Sequence, residues 1–153
     1  MTGAPSFDVT QAHRYFSADC FNKTWQLIRK TTRTPAEDEQ MIRLSQASLW
    51  HWTQRVDCTR ANLSIGYWQL ARVYAIAGRA DEARRYSQWC LDHSRDESPF
   101  LHAYAFEALA RAEQAGGNNT MAAQYRTEAL RLSQDVADLE ERNMILEDLK
   151  TIG

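Results

Sequence analysis

The feature of this sequence that most restricts its fold is an internal repeat with a period of 39 residues. Residues 67–94 and 106–133 align without a gap, and identical residues stand at eight aligned positions. The eight pairs are Leu70/Leu109, Ala71/Ala110, Arg72/Arg111, Gly78/Gly117, Ala83/Ala122, Tyr86/Tyr125, Leu91/Leu130 and Ser94/Ser133. A repeat of this length indicates one supersecondary unit that buries its apolar face against a neighbouring copy. Such arrays usually bind a ligand rather than transform it, so the repeat favours a binding function.

The pattern of apolar residues and helix-capping signals predicts an all-α fold, because no long stretch alternates with a period of two. Helix starts are predicted at Thr34-Pro35, Thr59 and Ser98-Pro99, and also at Asn118 or Asn119. Glycines at 78 and 116–117 predict helix ends. Seven helices are expected, at about 9–30, 35–55, 60–77, 80–94, 99–115, 119–135 and 138–151. They form about three hairpins and a C-terminal capping helix, whose apolar side is expected to carry Leu139, Ile145, Leu146, Leu149 and Ile152.

The first copy contains a spaced pattern in residues 67–74, Gly78 and Ala83. In order, the pattern consists of an aromatic residue, Leu, a small residue, Tyr, Gly and Ala, and the second copy keeps most of them. This order resembles the tetratricopeptide repeat over about residues 64–133, although Glu113 replaces Tyr and the usual period is about 34 residues. The resemblance implies an α-α superhelix with a concave groove. The chain as a whole also resembles a group of bacterial proteins of unknown activity that carry a Trp-His-Trp helix before such repeats.

Composition narrows the class of protein. The chain has 153 residues, of which 44% are hydrophobic and 25% charged, and its net charge is about −2. No basic face for nucleic acid is indicated, and no apolar run approaches the roughly 20 residues that span a membrane. The start of the chain lacks the pattern of a secretory signal, and three widely spaced cysteines fit reduced thiols, so a cytoplasmic location is expected. We expect residues 1–8 to be a disordered lead and residues 9–153 to form a single helical-repeat domain.

The resemblance implies that the first helix of each hairpin lines the groove. Five groove residues are then the candidate ligand-binding set: Trp68, Arg72, Tyr104, Glu107 and Arg111. Two arginines at equivalent positions, beside aromatic rings, suit a carboxylate, a phosphate or an acidic peptide end. The competing interpretation is structural: Glu107 lies four residues before Arg111 and pairs with it, and Arg72 is a solvated surface residue.

Two histidines, His13 and His51, are candidates for a small-molecule pocket joined to the groove, with His51 inside the unusual run Trp50-His51-Trp52. No cofactor is expected. No metal site is expected either, because the histidines and cysteines are scattered and no two histidines stand four residues apart. No catalytic motif is found, so no catalytic residue is assigned.

The sequence therefore predicts a non-catalytic binding or scaffold module that holds a protein or peptide partner, or a small anionic ligand, in its groove. The alternative is an enzyme or small-molecule sensor whose pocket lies between the N-terminal helices and the groove. A third option is a homo-oligomer that buries exposed aromatic side chains against a second copy.

Overall fold

A computed structural model of the chain describes residues 3–153, and all regular structure in that range is α-helical. The helices are α1 (Val9–Ile28), α2 (Pro35–Thr53), α3 (Arg60–Ile76), α4 (Ala80–Ser94), α5 (Pro99–Ala115), α6 (Asn119–Ser133) and α7 (Leu139–Lys150). The predicted all-α class is confirmed, and the helix bounds agree with the sequence pattern to within about two residues. Residues 1 and 2 of the predicted disordered lead lie outside the described residues; residues 3–8 are exposed and not helical.

Short polar side chains cap most of these helices, as the sequence indicates. Thr34 and Glu37 form a capping box at the start of α2, in which each side chain binds the backbone N–H of the other residue. Thr59 accepts from the backbone of Asn62 at the start of α3, and Asn118 accepts from Met121 at the start of α6. Each cap satisfies N–H groups that have no partner within the helix, which fixes where the helix begins.

The chain divides into two compact units, the first ending at Cys58 and the second running from Thr59 to Gly153. In the first unit α1 packs against α2 as a helical hairpin. Small polar residues lie between the two helices: Ser17 and Ser48 are buried, and the Ser48 hydroxyl donates to the Ser17 carbonyl oxygen over 2.7 Å. Small side chains at this contact allow the helices to approach closely.

In the second unit the repeat appears as two hairpins with the same bounds. The pair α3 and α4 reproduces α5 and α6 with both ends of each helix shifted by 39 residues. Gly78 and Gly117 follow α3 and α5 with φ of 74° and 76°, the left-handed region in which glycine has no steric penalty. The backbone hydrogen bonds of the two caps also correspond: Arg79 donates to Tyr74 and Asn118 donates to Glu113, both over 2.9 Å.

Helix α7 packs on α5 and α6 and completes the second unit. Ile145, Leu149 and Ile152 join the core that contains Tyr104. The expectation that Leu139 lies on this apolar side is wrong, because its side chain is 66% exposed. Leu139 is the first residue of α7, and together with Met144 it lines a shallow depression on the outer face of that helix.

No helix within residues 3–153 combines the length and the apolar character that crossing a membrane requires.

Candidate functional site

The five residues that the resemblance assigns to the groove contact one another in the second unit. Trp68 and Arg72 lie on α3, and Tyr104, Glu107 and Arg111 lie on α5, which packs against α3. The Trp68 and Tyr104 rings meet edge to face with centroids 5.2 Å apart, and the Arg72 guanidinium lies 5.6 Å from the Trp68 ring. Residues on the inner faces of two neighbouring helices therefore form one continuous cluster.

Glu107 is the centre of this group, which we call the Glu107 cluster, and its side chain is fully buried. The indole N–H of Trp68 donates to Glu107 Oε2 over 2.8 Å, and Arg111 donates to Glu107 Oε1. Arg72 Nη1 lies 4.0 Å from the same Oε1 atom. A buried carboxylate is stable only when it is paired and hydrogen-bonded, and this one has an indole and two guanidinium groups around it.

Asp148 of helix α7 and Thr151, the residue that caps its C-terminal end, are the remaining members of the Glu107 cluster. Asp148 accepts from the Tyr104 hydroxyl over 2.8 Å and from Arg72 Nη1 over 3.3 Å. Arg111 Nη2 donates to the Asp148 backbone carbonyl over 2.9 Å and to the Thr151 hydroxyl over 2.6 Å. Asp148 is not among the residues predicted from the sequence. Its signal was its position between Ile145 and Leu149, at the edge of the buried stripe of α7.

The charges within the Glu107 cluster balance, since Arg72 and Arg111 face Glu107 and Asp148. The expected pairing of Glu107 with Arg111 is present. The idea that Arg72 is a solvated surface residue is wrong, because only 14% of its side chain is exposed. Burial and the Asp148 carboxylate raise the pKa of Tyr104, so its hydroxyl remains a hydrogen-bond donor at physiological pH. Asp148, with 28% of its side chain exposed, is the acidic member that water reaches most easily.

The two candidate histidines meet in the first unit. His13 on α1 and His51 on α2 place their Nδ1 atoms 2.8 Å apart, so one imidazole donates a hydrogen bond to the other. Phe16 and Trp50 complete a group of four rings, with the Phe16 and Trp50 centroids 5.4 Å and 4.9 Å from that of His51. We call these four residues the ring cluster. Burial, followed by the nearby His13 ring, lowers the pKa of His51, which favours its neutral form.

Side chains of the ring cluster reach the surface of the first unit. Trp50 is 55% exposed and Phe16 is 43% exposed. Within the run Trp50-His51-Trp52, the Trp50 and His51 rings meet edge to face. Trp52 instead lies under the Arg55 guanidinium, 3.8 Å from its ring centroid. Among residues 3–153, no group of three or more His, Cys, Asp or Glu side chains is arranged to hold a metal ion.

Comparison of the chain with protein-family models, with curated proteins and with solved structures gave no match. The tetratricopeptide resemblance, and with it the superhelix and the groove, therefore stay predictions. What the structure adds is the contact geometry of the Glu107 cluster and of the ring cluster.

Proposed function

We propose that this protein is a non-catalytic binding module that holds a peptide segment or a small anionic ligand at the Glu107 cluster through a carboxylate group. One observation supports the proposal above the others: the cluster already binds a carboxylate, that of Asp148, through Tyr104 and Arg72. A tyrosine hydroxyl and a guanidinium directed at the same carboxyl group form charge-assisted hydrogen bonds, the stronger kind in proteins.

In this proposal the ligand carboxylate replaces the side chain of Asp148. The backbone of α7 stays in place in this proposal, because Ile145 and Leu149 are fully buried and hold the helix in the core. Rotation of the Asp148 side chain toward solvent is sufficient, and this side chain is already partly exposed. Arg72 and Tyr104 then bind the ligand in place of Asp148.

The charge balance of the cluster favours a carboxylate over a phosphate. Glu107 remains buried against Arg111 and Trp68 when Asp148 turns away. One negative charge from the ligand restores the balance with the two arginines, whereas a phosphate dianion leaves an excess negative charge in a poorly solvated place. An acidic peptide side chain or a chain terminus meets this requirement, and so does a small carboxylic acid.

The experiment compares binding to wild type and to the Asp148→Asn variant, which keeps the shape of the side chain but removes its competing charge. The Trp68 indole N–H signal in two-dimensional NMR reports on the cluster while acetate, and then a library of peptides containing Asp or Glu, is added. We expect the variant to bind carboxylates at least tenfold more tightly than wild type. Adding Arg72→Gln to Asp148→Asn should remove that gain.

The matched control is Asp81→Asn, since Asp81 also pairs with an arginine in the second unit, Arg84, but lies far from α7 in sequence and is exposed. This variant should bind as wild type does. Equal affinities of wild type and the Asp148→Asn variant, or no shift of the Trp68 signal with any acidic peptide or carboxylate, would show that the cluster serves only to hold the fold together.

A further inference from the structure

The contact between His13 and His51 joins the beginning of α1 to the end of α2 through a single proton. The two Nδ1 atoms lie 2.8 Å apart, within the range of ordinary N–H hydrogen bonds. A neutral imidazole carries its proton on one nitrogen, so one ring donates through its Nδ1–H group. The other ring accepts with its Nδ1 lone pair and carries its own proton on Nε2. The contact therefore requires that one of the two facing nitrogens has no proton.

The pair responds differently to a first and to a second added proton. The first binds Nε2 of the donor ring, whose Nδ1–H group continues to donate, and the hydrogen bond becomes charge-assisted. The second binds the Nδ1 lone pair of the acceptor ring. Two N–H groups then point at each other across 2.8 Å, on two positively charged rings whose centroids lie 5.1 Å apart. The second proton therefore replaces an attraction between the helices by a repulsion.

The immediate surroundings of the pair are aromatic. Among residues 3–153, the recorded side-chain partners of the two rings are each other, Phe16 and Trp50, and none of these is a carboxylate. Tyr15 contacts Phe16 rather than either histidine. Burial, followed by the charge of His13, lowers the pKa of His51, which is the direction that such an environment produces. The pair therefore resists the second proton while the helices stay packed.

The carboxylates at this end of the hairpin have other partners. Asp57 accepts two hydrogen bonds from Arg55 over 2.9 and 2.8 Å. Arg55, with a smaller effect from Arg14, lowers the pKa of Asp57 to about 2, so this carboxylate stays ionised and paired in mild acid. Asp8 accepts from the backbone N–H of Gln11 at the start of α1. The other charged side chains of the two helices lie more than one turn from the histidines along their helices: Asp19, Lys23, Glu37, Asp38, Glu39 and Arg43.

We infer that the His13–His51 pair is an acid-sensitive contact, which holds the start of α1 against the end of α2 at neutral pH and releases it when both rings are protonated. A histidine whose pKa is lowered by folding binds its proton more readily in the unfolded chain, where the pKa is about 6.5. The stabilisation is thus present above about pH 6.5 and is lost as the pH falls below it. Release exposes more of Phe16 and Trp50. The inference is independent of the proposed function, because the Glu107 cluster lies in the second unit.

The test is hydrogen exchange of the whole chain at pH 7 and pH 5, read by mass spectrometry of peptides from α1 and α2. Protection factors, which divide out the direct effect of pH on exchange, should fall at least about tenfold in wild type. In His13→Gln and His51→Gln the second charge cannot form, so the fall between the two pH values should be about twofold or less. His93→Gln removes a histidine from the second unit and should behave as wild type. Peptides of the first unit also leave out the effect of His102, whose pKa is lowered by burial.

NMR titration of the histidine ring signals shows when each proton binds. Wild type should give two separate steps for the pair, because the first charge opposes the second. In His13→Gln the pKa of His51 should rise, since the competing charge is gone. Equal falls in protection in wild type and in both glutamine variants would overturn the inference. Unchanged protection in wild type at a pH where NMR shows both rings protonated would overturn it as well.

Discussion

The two copies of the repeated hairpin differ in what they place at equivalent positions on their first helices. Where α3 has Trp68 and Tyr74, α5 has Glu107 and Glu113. Both glutamates bind residues of the first copy: Glu107 accepts from Trp68, and Glu113 forms two hydrogen bonds with Arg84 on α4. Because the second copy has carboxylates where the first copy has rings, it forms polar contacts with the first copy.

The interiors of the two hairpins differ in the opposite sense. The first copy buries Ser64 against Cys90, with their side-chain oxygen and sulfur 3.6 Å apart. The second copy has Ala103 and Ala129 at the corresponding positions, and both are fully buried. At these positions the interior of the first hairpin is therefore more polar than the interior of the second. Where the two hairpins contact each other, the carboxylates come from the second. Four predictions test this contrast.

The largest effect is expected for Glu107→Ala. This change leaves Arg72 and Arg111 in a poorly solvated cluster with the Asp148 carboxylate alone, and breaking a buried ion pair from one side typically costs about 3–5 kcal/mol. Urea unfolding of wild type and variant measures the difference. The matched control is Glu113→Ala at the more exposed contact. If Glu107→Ala and Glu113→Ala lowered the free energy of unfolding equally, the buried contact would not be more stabilising than the exposed one.

The next effect concerns the Cys90 thiol in the interior of the first copy. Burial raises the pKa of Cys90 from 9.0 to about 12. Because only the thiolate reacts and the side chain is buried, we expect alkylation of Cys90 at pH 8 to be much slower than that of an exposed thiol with the ordinary pKa. Mass spectrometry after limited iodoacetamide treatment should find Cys58 labelled before Cys90, and denaturant should abolish the difference. Labelling of Cys90 in the native protein at the rate of Cys58 would contradict the buried environment.

A smaller and equal effect is expected for Gly78→Ala and Gly117→Ala, which probe the feature that the copies share. In each case a Cβ meets no neighbouring atom, so the penalty comes only from the positive φ and should be about 1–2 kcal/mol. Thermal or urea unfolding of the two variants checks this. Gly3→Ala is the control, since Gly3 has open space and no such φ. Clearly unequal losses would mean that the two helix ends are not equivalent.

The smallest effect is expected for the contact between Arg84 and Glu113. The Arg84 side chain is 36% exposed, and ion pairs that water reaches contribute about 0.2–1 kcal/mol. A double-mutant cycle with Arg84→Ala and Glu113→Ala measures their coupling directly, and high salt should reduce it. A coupling as large as that between Glu107 and Arg111 would show that exposure does not separate the two contacts.

The sequence predicted most of the helices because their ends are local. Thr34 with Glu37, and glycines after α3 and α5, specify helix starts and stops without reference to the rest of the chain. The 39-residue offset also predicted that the two hairpins have the same bounds, and the contact between Glu107 and Arg111 followed from their spacing of four residues.

The remaining features depend on contacts between distant segments, which spacing along the chain does not reveal. Asp148 reaches Arg72 across 76 residues, and its position beside the buried Leu149 did not indicate which residue it contacts. His13 and His51 were both candidates, but they are 38 residues apart, so helical spacing could not predict that their rings form a hydrogen bond. Leu139 was assigned to the apolar side by its residue type, although its place at the first position of α7 leaves it in solvent.

The position of Asp148 has a consequence for how the protein is made. Arg111 precedes its α7 partner by 37 residues, an interval that a ribosome takes roughly 2–7 seconds to translate. During that time Glu107 is the only acidic member of the cluster that has been synthesised, while both arginines are present, so the cluster lacks one of its two negative charges. We therefore expect the cluster to reach its balance of charge only when α7 docks on α5 and α6.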